Sequence, residues 1–174
     1  LKGFSKPLEN TVSFNKIHNS ETKRRESLFK HLEKSIASKF EGSKLTAFGS
    51  AESGLSLKGG DFDLCLQISN VNEKKTLKRI GGMLRGQGME NVQIISRAKV
   101  PIVKFEDPRS GLNVDISINN TLALYNTNLL ASYARKDKRV KDLIICIKHW
   151  AHHRNLSDPV NGTFSSYAWS ILVI

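Results

Sequence analysis

The chain has 174 residues, with 39% hydrophobic residues and only 4 prolines. That excludes a disordered chain and suffices for one sizeable domain, or for a small domain with part of a second. Lys and Arg number 27 against 16 Asp and Glu, a formal net charge of +11, which suits a polyanionic partner: nucleic acid first, an anionic membrane surface second.

In chain order, residues 1–18 show little periodicity and are expected to form an extended arm. Their opening, LKGFSKPLEN, lacks the apolar core of a signal peptide. Asn19 or Ser20 is placed to cap a helix running to about Phe40, with Leu28, Phe29, Leu32 and Ile36 at helical spacing and Lys23, Arg24 and Arg25 crowding its first turns. A strand at Lys44–Phe48, a Gly/Ser-rich turn and a strand through Phe62–Ile68 follow. A basic helix is predicted from about Asn72 to Arg85, closed by Gly86 and Gly88. Three strand-like runs come next, Val92–Ser96, Val100–Phe105 and Leu112–Ile118, and DPRSG (107–111) marks a hairpin between the last two. After Asn120 the pattern turns helical, with helices at Asn128–Arg135 and Arg139–Asn155, a loop SDPVNG, and a last helix opening near Ser165. YAWSILVI ends inside a helix-like run and Leu1 is not an initiator methionine, so a piece of a longer chain is expected. Cys65 and Cys146 sit in the apolar runs LCL and IICI, which predicts buried, reduced thiols in an intracellular protein. No apolar stretch approaches a membrane span in length.

The chemistry concentrates in FGSAESGLSLKGGDFDLCL (48–66). Gly49-Ser50 follows a strand, where backbone N–H groups and the Ser50 hydroxyl can hold a phosphate. Asp61 and Asp63 are two apart, so their side chains leave one face of a strand. Carboxylates so placed repel unless a cation lies between them, and hard oxygen ligands suit Mg²⁺ or Mn²⁺. In LNVDISI, Val114, Ile116 and Ile118 alternate with Asn113, Asp115 and Ser117, which puts Asp115 on the polar face of a strand able to pair beside the first two aspartates. Two metals held by Asp61, Asp63 and Asp115 can activate a 3′-hydroxyl and stabilise departing pyrophosphate.

These stretches resemble the DNA polymerase β-type nucleotidyltransferase superfamily and, more narrowly, the noncanonical poly(A) polymerases and terminal uridylyltransferases, or poly(U) polymerases. The narrower resemblance rests on 48–66, AKVPIVKF (98–105), VDISINNTLALYNTNLL (114–130), IKHWAHHRN (147–155) and GTFSSYAWS (162–170). It implies an α+β fold: a polymerase β-like nucleotidyltransferase domain, a mixed β-sheet flanked by helices, over 41–120, then the start of an all-helical central domain over 121–174, with 1–40 an N-terminal arm and helix packing on the helical domain. It also implies template-independent addition of UMP, or AMP, from UTP or ATP to RNA 3′ ends, with Mg²⁺ or Mn²⁺ as cofactor and with protein partners in RNA processing, away from membranes.

Carried over by motif, Phe48, Gly49 and Ser50 would lie at the triphosphate and sugar, and Asn126 and Thr127 at the ribose 2′-hydroxyl and base edge. Lys148 and Ser166 would contact phosphates, and Tyr167 would stack under the base. Lys148 and His152 lie four apart on one helix, so both can face one triphosphate, although some relatives carry a basic residue where this chain has His152. His149, His152 and His153 raise a zinc site, but with no cysteine or further histidine nearby a surface or phosphate-facing role is preferred. Trp150 and Trp169 are expected in the core. KRRES (23–27), KKTLKRI (74–80) and the cluster Arg135, Lys136, Lys138, Arg139 and Lys141 are candidate RNA-phosphate contacts, with solvated helix faces the preferred account of 74–80. Two other functions stay open: an inactive relative acting as an RNA-binding scaffold, and a different nucleotidyltransferase such as a CCA-adding or antibiotic-modifying enzyme. Retention of all three aspartates speaks against the first, and the KHW and SSY motifs against the second.

Overall fold

The computed structural model describes residues 2–174, with side chains from residue 6. The elements in order are α1 (Lys2–Asn15), α2 (Asn19–Ala37), β1 (Lys44–Phe48), α3 (Ser50–Ser53), β2 (Phe62–Gln67), α4 (Glu73–Gly86), β3 (Glu90–Ile95), β4 (Ile102–Asp107), β5 (Leu112–Ile118), α5 (Thr121–Lys136), α6 (Lys138–His153), a 3₁₀ turn (Pro159–Asn161) and α7 (Ser166–Val173). The five strands form one mixed sheet in the order β1-β2-β5-β4-β3. β2 and β5 run parallel at its centre, and every other pairing is antiparallel. The α+β architecture is therefore the one expected.

Period-2 and period-3.6 apolar patterns meet in the main core. Leu28, Leu32 and Ile36 of α2 and Leu77, Ile80 and Leu84 of α4 are buried with Leu64, Val103, Phe105, Val114 and Ile116 of the sheet. β2 is buried through Leu64, Cys65 and Leu66, as a central strand requires. Both cysteines are free and buried. A second cluster joins Leu55, Leu130, Ala134 and Ile144, which seats α5 and α6 against the segment after α3.

The N-terminal segment differs from expectation. Residues 2–15 are helical, not an extended arm, and α1 packs on α6, with Val12 buried against Ile145 and Cys146. Its apolar stripe is narrow and Pro7 interrupts it, so the helix rests on tertiary contact more than on local pattern. α2 packs instead on the sheet, so the first forty residues divide between the two units. α5 also begins earlier than Asn128. Asn119, at φ 51°, ends β5 and uses its side-chain amide to bond both the N–H and the carbonyl of Ile68, and Asn120 then caps the helix by accepting from the Ala123 N–H. Asn126 is thereby interior to α5 and not a cap. Trp150 is 45% exposed, a correction to its expected core position, and stands edge-on to Trp169 at 5.6 Å. Among the described residues, no helix is long and apolar enough to cross a membrane.

Candidate active site

The β1–α3 turn forms one wall of the site. Gly49 adopts φ 72°, ψ −145°, a conformation effectively reserved for glycine, and a Cβ there would come within 2.5 Å of Asp63 Oδ2. Its N–H donates to Thr127 Oγ1 at 2.8 Å, and that hydroxyl donates to the Ala123 carbonyl at 2.7 Å. The turn is thus tied to α5. Two expectations change: the Gly49 N–H is engaged within the protein, and the buried Thr127 hydroxyl is already a bridge. Ser50 Oγ lies 2.9 Å from Ser56 Oγ.

Strand register gathers the charged groups. Phe48 pairs with Asp63, Asp63 with Asp115 and Asp115 with Lys104, which makes a single row across four strands. Asp61 stands just before β2. Lys104 Nζ lies 3.6 Å from Asp61 Oδ2 and 3.5 Å from Asp115 Oδ2. Burial, reinforced by the charges of Asp115 and Asp61, pushes the Asp63 carboxyl up to about 7, against the opposing pull of Arg25 and Lys148. Burial also raises Asp115, with Lys104 counteracting and Asp61 adding to the rise. Burial of Lys104 works to lower its pKa, but Asp115 and Asp61 outweigh it and the net shift is upward.

As the side chains stand, no three His, Cys, Asp or Glu groups among the described residues surround one ion position. The donor set nevertheless fits a hard divalent cation: three neighbouring carboxylates where β2 pairs with β5, and a buried Asp115 Oδ1 without a hydrogen-bond partner. Lys104 supplies positive charge between two of the carboxylates. A carboxylate turns about its side-chain torsions to meet a cation at little cost.

Linkage gives a first test. The folded pKa of Asp63, about 7, lies above its ordinary 3.8, so its contribution to stability is full below about 3.8 and is lost as pH rises through about 7. Metal-free protein should therefore lose thermal stability across that window. Asp63→Asn should flatten the loss and raise the melting temperature above pH 7 by at least about 3 °C. Melts in chelator at several pH values check this, and a parallel pH dependence in parent and variant would contradict the assignment.

Beside Asp63 opens a cavity of about 270 Å³. The sheet side contributes Phe48, Gly49, Ser50 and Asp63, and the helical side contributes Asn126 and Thr127 of α5, Lys148 of α6, and Ser166 and Tyr167 of α7. Lys148 is buried, its Nζ donates to the Leu55 carbonyl at 2.7 Å, and burial lowers its pKa to about 8 against the pull of Asp63. Tyr167 keeps its ring partly exposed, and its hydroxyl donates to Asn126 Oδ1 at 3.3 Å.

His152 does not join this cavity, contrary to its expected pairing with Lys148. It is exposed one turn further on and lines a separate polar hollow with Asn155, Ser157, Asp158 and Asn161. His149 and His153 stack edge-on at 4.2 Å, and burial followed by the charges of His153 and His152 lowers the His149 pKa. Of the basic residues, Arg25 is buried against Glu21 and Arg24 donates to the Ser110 carbonyl, so KRRES is not the open phosphate track expected. Lys138 and Arg139 pair with Asp142 and Asp137, while Arg135 and Lys136 are exposed.

Sequence reasoning gave Lys104 no role and placed Arg25, within KRRES, at RNA phosphates. A signal for Lys104 existed: Val103 and Phe105 alternate around it, and a hairpin closing at Asp107–Leu112 sets Lys104 opposite Asp115. No local pattern separates Arg25 from its exposed neighbours.

Over residues 4–135 the chain matches the family described as poly(A) RNA polymerase, mitochondrial-like, central palm domain. It is 40% identical to human terminal uridylyltransferase 7 over 161 residues, covering 88% of this chain and 11% of that protein. It is 39% identical to terminal uridylyltransferase cid1 of Schizosaccharomyces pombe, covering 75% and 34%, and 38% identical to the poly(A) RNA polymerase GLD2-B of Xenopus laevis, covering 82% and 30%. A solved structure of the Cid1 poly(U) polymerase bound to Mg and 3′-dATP superposes with a TM-score of 0.89 at 34% identity, over 98% of this chain and 54% of that one. Another, of Cid1 with the UTP analogue UMPNPP, gives a TM-score of 0.87. The chain thus spans about half of the solved chains and a third or less of GLD2-B and the terminal uridylyltransferase 7, and 34% of cid1. On the family match, these identities and the shared sheet, the chain belongs to the noncanonical poly(A)/poly(U) polymerases of the polymerase β-type nucleotidyltransferases.

Proposed function

We propose that the intact protein adds nucleotides, UMP in preference to AMP, from a nucleoside triphosphate to RNA 3′ ends without a template. The observation that carries this reading is the pairing of Asp63 with Asp115, with Asp61 just ahead of them in the chain, where Asp63 itself lines a cavity walled by both units. In the reaction the RNA 3′-oxygen attacks the α-phosphorus, the bond to the leaving pyrophosphate breaks, and the hydroxyl proton departs. Mg²⁺ or Mn²⁺ held by Asp61, Asp63 and Asp115 would supply the positive charge that makes the hydroxyl a nucleophile and stabilises pyrophosphate.

The chain's own groups orient the reactants. Lys148, Ser50 and Ser166 offer a cation and two hydroxyls to the phosphates, Lys148 keeping two N–H donors beyond the one given to the Leu55 carbonyl. Asn126 faces the sugar, with Tyr167 under the base. Asp115 would take the proton, a role that its unpartnered oxygen supports. The uridylyltransferase relatives and the UTP-analogue complex of Cid1 support UTP.

A short single-stranded RNA incubated with each nucleoside triphosphate separately, with Mg²⁺ or Mn²⁺, tests the reading on the full-length protein. Extension that vanishes in Asp61→Ala/Asp63→Ala is the expected result, and the nucleotide giving the longest tail settles base choice. RNA that binds but never lengthens moves the scaffold reading to the front. Tyr167→Ala should raise the KM for every nucleotide by about tenfold, because stacking is tolerant of the base. A loss confined to one nucleotide would assign Tyr167 to base selection instead.

A further inference from the structure

Arg25 and Glu21 form a buried ion pair on α2 that the nucleotide chemistry does not use. Each residue is 5% exposed. Arg25 Nε and Nη2 donate to Glu21 Oε1 at 3.1 and 2.7 Å. The remaining donor capacity goes to the loop ahead of β2: Nη2 donates to the Gly60 carbonyl at 2.6 Å, and Nη1 reaches the Asp61 carbonyl at 3.5 Å. From the other side, the Gly59 N–H donates to Glu21 Oε2 at 3.4 Å. The guanidinium also lies over the Phe62 ring, 5.4 Å from its centroid. Backbone groups of three consecutive residues, Gly59 to Asp61, and the first residue of β2 are therefore gripped by one ion pair.

The loop needs such a grip. Gly59, at φ 71°, and Gly60 offer no side chains to pack, and they lead directly into Asp61 and Asp63. A buried ion pair is a poor source of stability, since apolar residues of similar volume often do as well. Its distinctive property here is directional: from one rigid fork the guanidinium makes four hydrogen bonds to a carboxylate and two carbonyls, more than the three N–H groups of an ammonium can supply.

We propose that Glu21 and Arg25 are positioning residues that clamp the Gly59–Asp61 loop, so that Asp61 and Asp63 are presented together to a divalent cation. This rests on the reading of those aspartates as metal ligands. The variants are chosen accordingly. Glu21→Leu/Arg25→Met replaces the pair with apolar groups that fill the space and leave no unpaired charge, but cannot hold the loop carbonyls. Arg25→Lys keeps the charge and loses the fork.

The experiment measures binding of Mn²⁺ alone to the full-length protein, by loss of the free-ion electron paramagnetic resonance signal. It is accompanied by thermal melts in chelator and by RNA extension kinetics, with Asp61→Ala/Asp63→Ala as the reference for a lost site. In the double variant Mn²⁺ affinity should fall at least about tenfold, as for other groups that orient metal ligands. Its melting temperature should stay within about 3 °C of the parent. The maximal extension rate should fall in step, while the KM for the nucleotide changes less than about threefold. A folded double variant with parental Mn²⁺ affinity overturns the clamp. Should the double variant fail to fold, Arg25→Lys decides: an affinity at least about threefold lower at near-parental melting supports the clamp, and parental affinity overturns it. A parent whose Mn²⁺ binding does not depend on Asp61 and Asp63 defeats the metal reading, and the clamp with it. A parent that binds Mn²⁺ through them without extending RNA defeats only nucleotide transfer.

Discussion

Asp115→Asn is expected to lower nucleotide transfer by about 10³-fold or more while leaving the protein folded. Asparagine has nearly the shape of aspartate, so β5 keeps its pleat and its pairings with β2 and β4. The buried Oδ1 without a partner is no longer part of a charged donor, and the group facing Lys104 at 3.5 Å becomes neutral. Removing that charge also relieves Asp63, whose carboxyl is raised in part by Asp115. The metal-free variant should therefore melt at or above the parental temperature. Loss of function with retained or improved stability is the pattern of a residue kept for chemistry at the expense of stability. Single-turnover extension and thermal melts together check it, and near-parental tailing would remove Asp115 from the site.

Gly49→Ala should be the most damaging substitution of a residue that bears no reactive group. At φ 72°, ψ −145° an alanine is strained by about 1–3 kcal/mol. Its Cβ would also lie 2.5 Å from Asp63 Oδ2, so either the carboxylate or the turn must shift. Movement of the turn breaks the Gly49–Thr127 hydrogen bond that ties the sheet to α5. Movement of the carboxylate takes Asp63 out of its row with Asp115. Transfer should fall on the order of 100-fold, given the sensitivity of catalysis to misplacement of about an ångström. Gly42→Ala separates strain from position: Gly42 also has positive φ, 71°, but open space around it. That variant should lose some thermal stability and keep the parental extension rate. Equal losses of activity in the two variants would mean that backbone strain alone explains Gly49.

Much of the candidate site is legible from local rules. The expected shared strand face of Asp61 and Asp63 gives way to Asp61 in the loop just ahead of β2, but alternation in LNVDISI placed Asp115 on a strand, and DPRSG announced the hairpin that carries Lys104 to Asp115. Each depends on interactions between near neighbours, which is why periodicity and turn chemistry reveal them.

What the sequence determined by itself is therefore the sheet's strands, the main amphipathic helices and the place of Asp115 on the strand beside Asp63, because apolar period and turn residues are written within a few positions of one another. Only the tertiary structure decided that residues 2–15 are helical against α6, that Arg25 faces inward while Lys23 stays in water, that Thr127 is used to hold Gly49, and that His152 leaves the cavity Lys148 lines. Those outcomes depend on partners far along the chain. A narrow helix stripe, a basic residue or a hydroxyl looks the same locally whether it meets solvent or a buried carbonyl, and the free energy that separates the two comes from burial and hydrogen bonding after the elements have met.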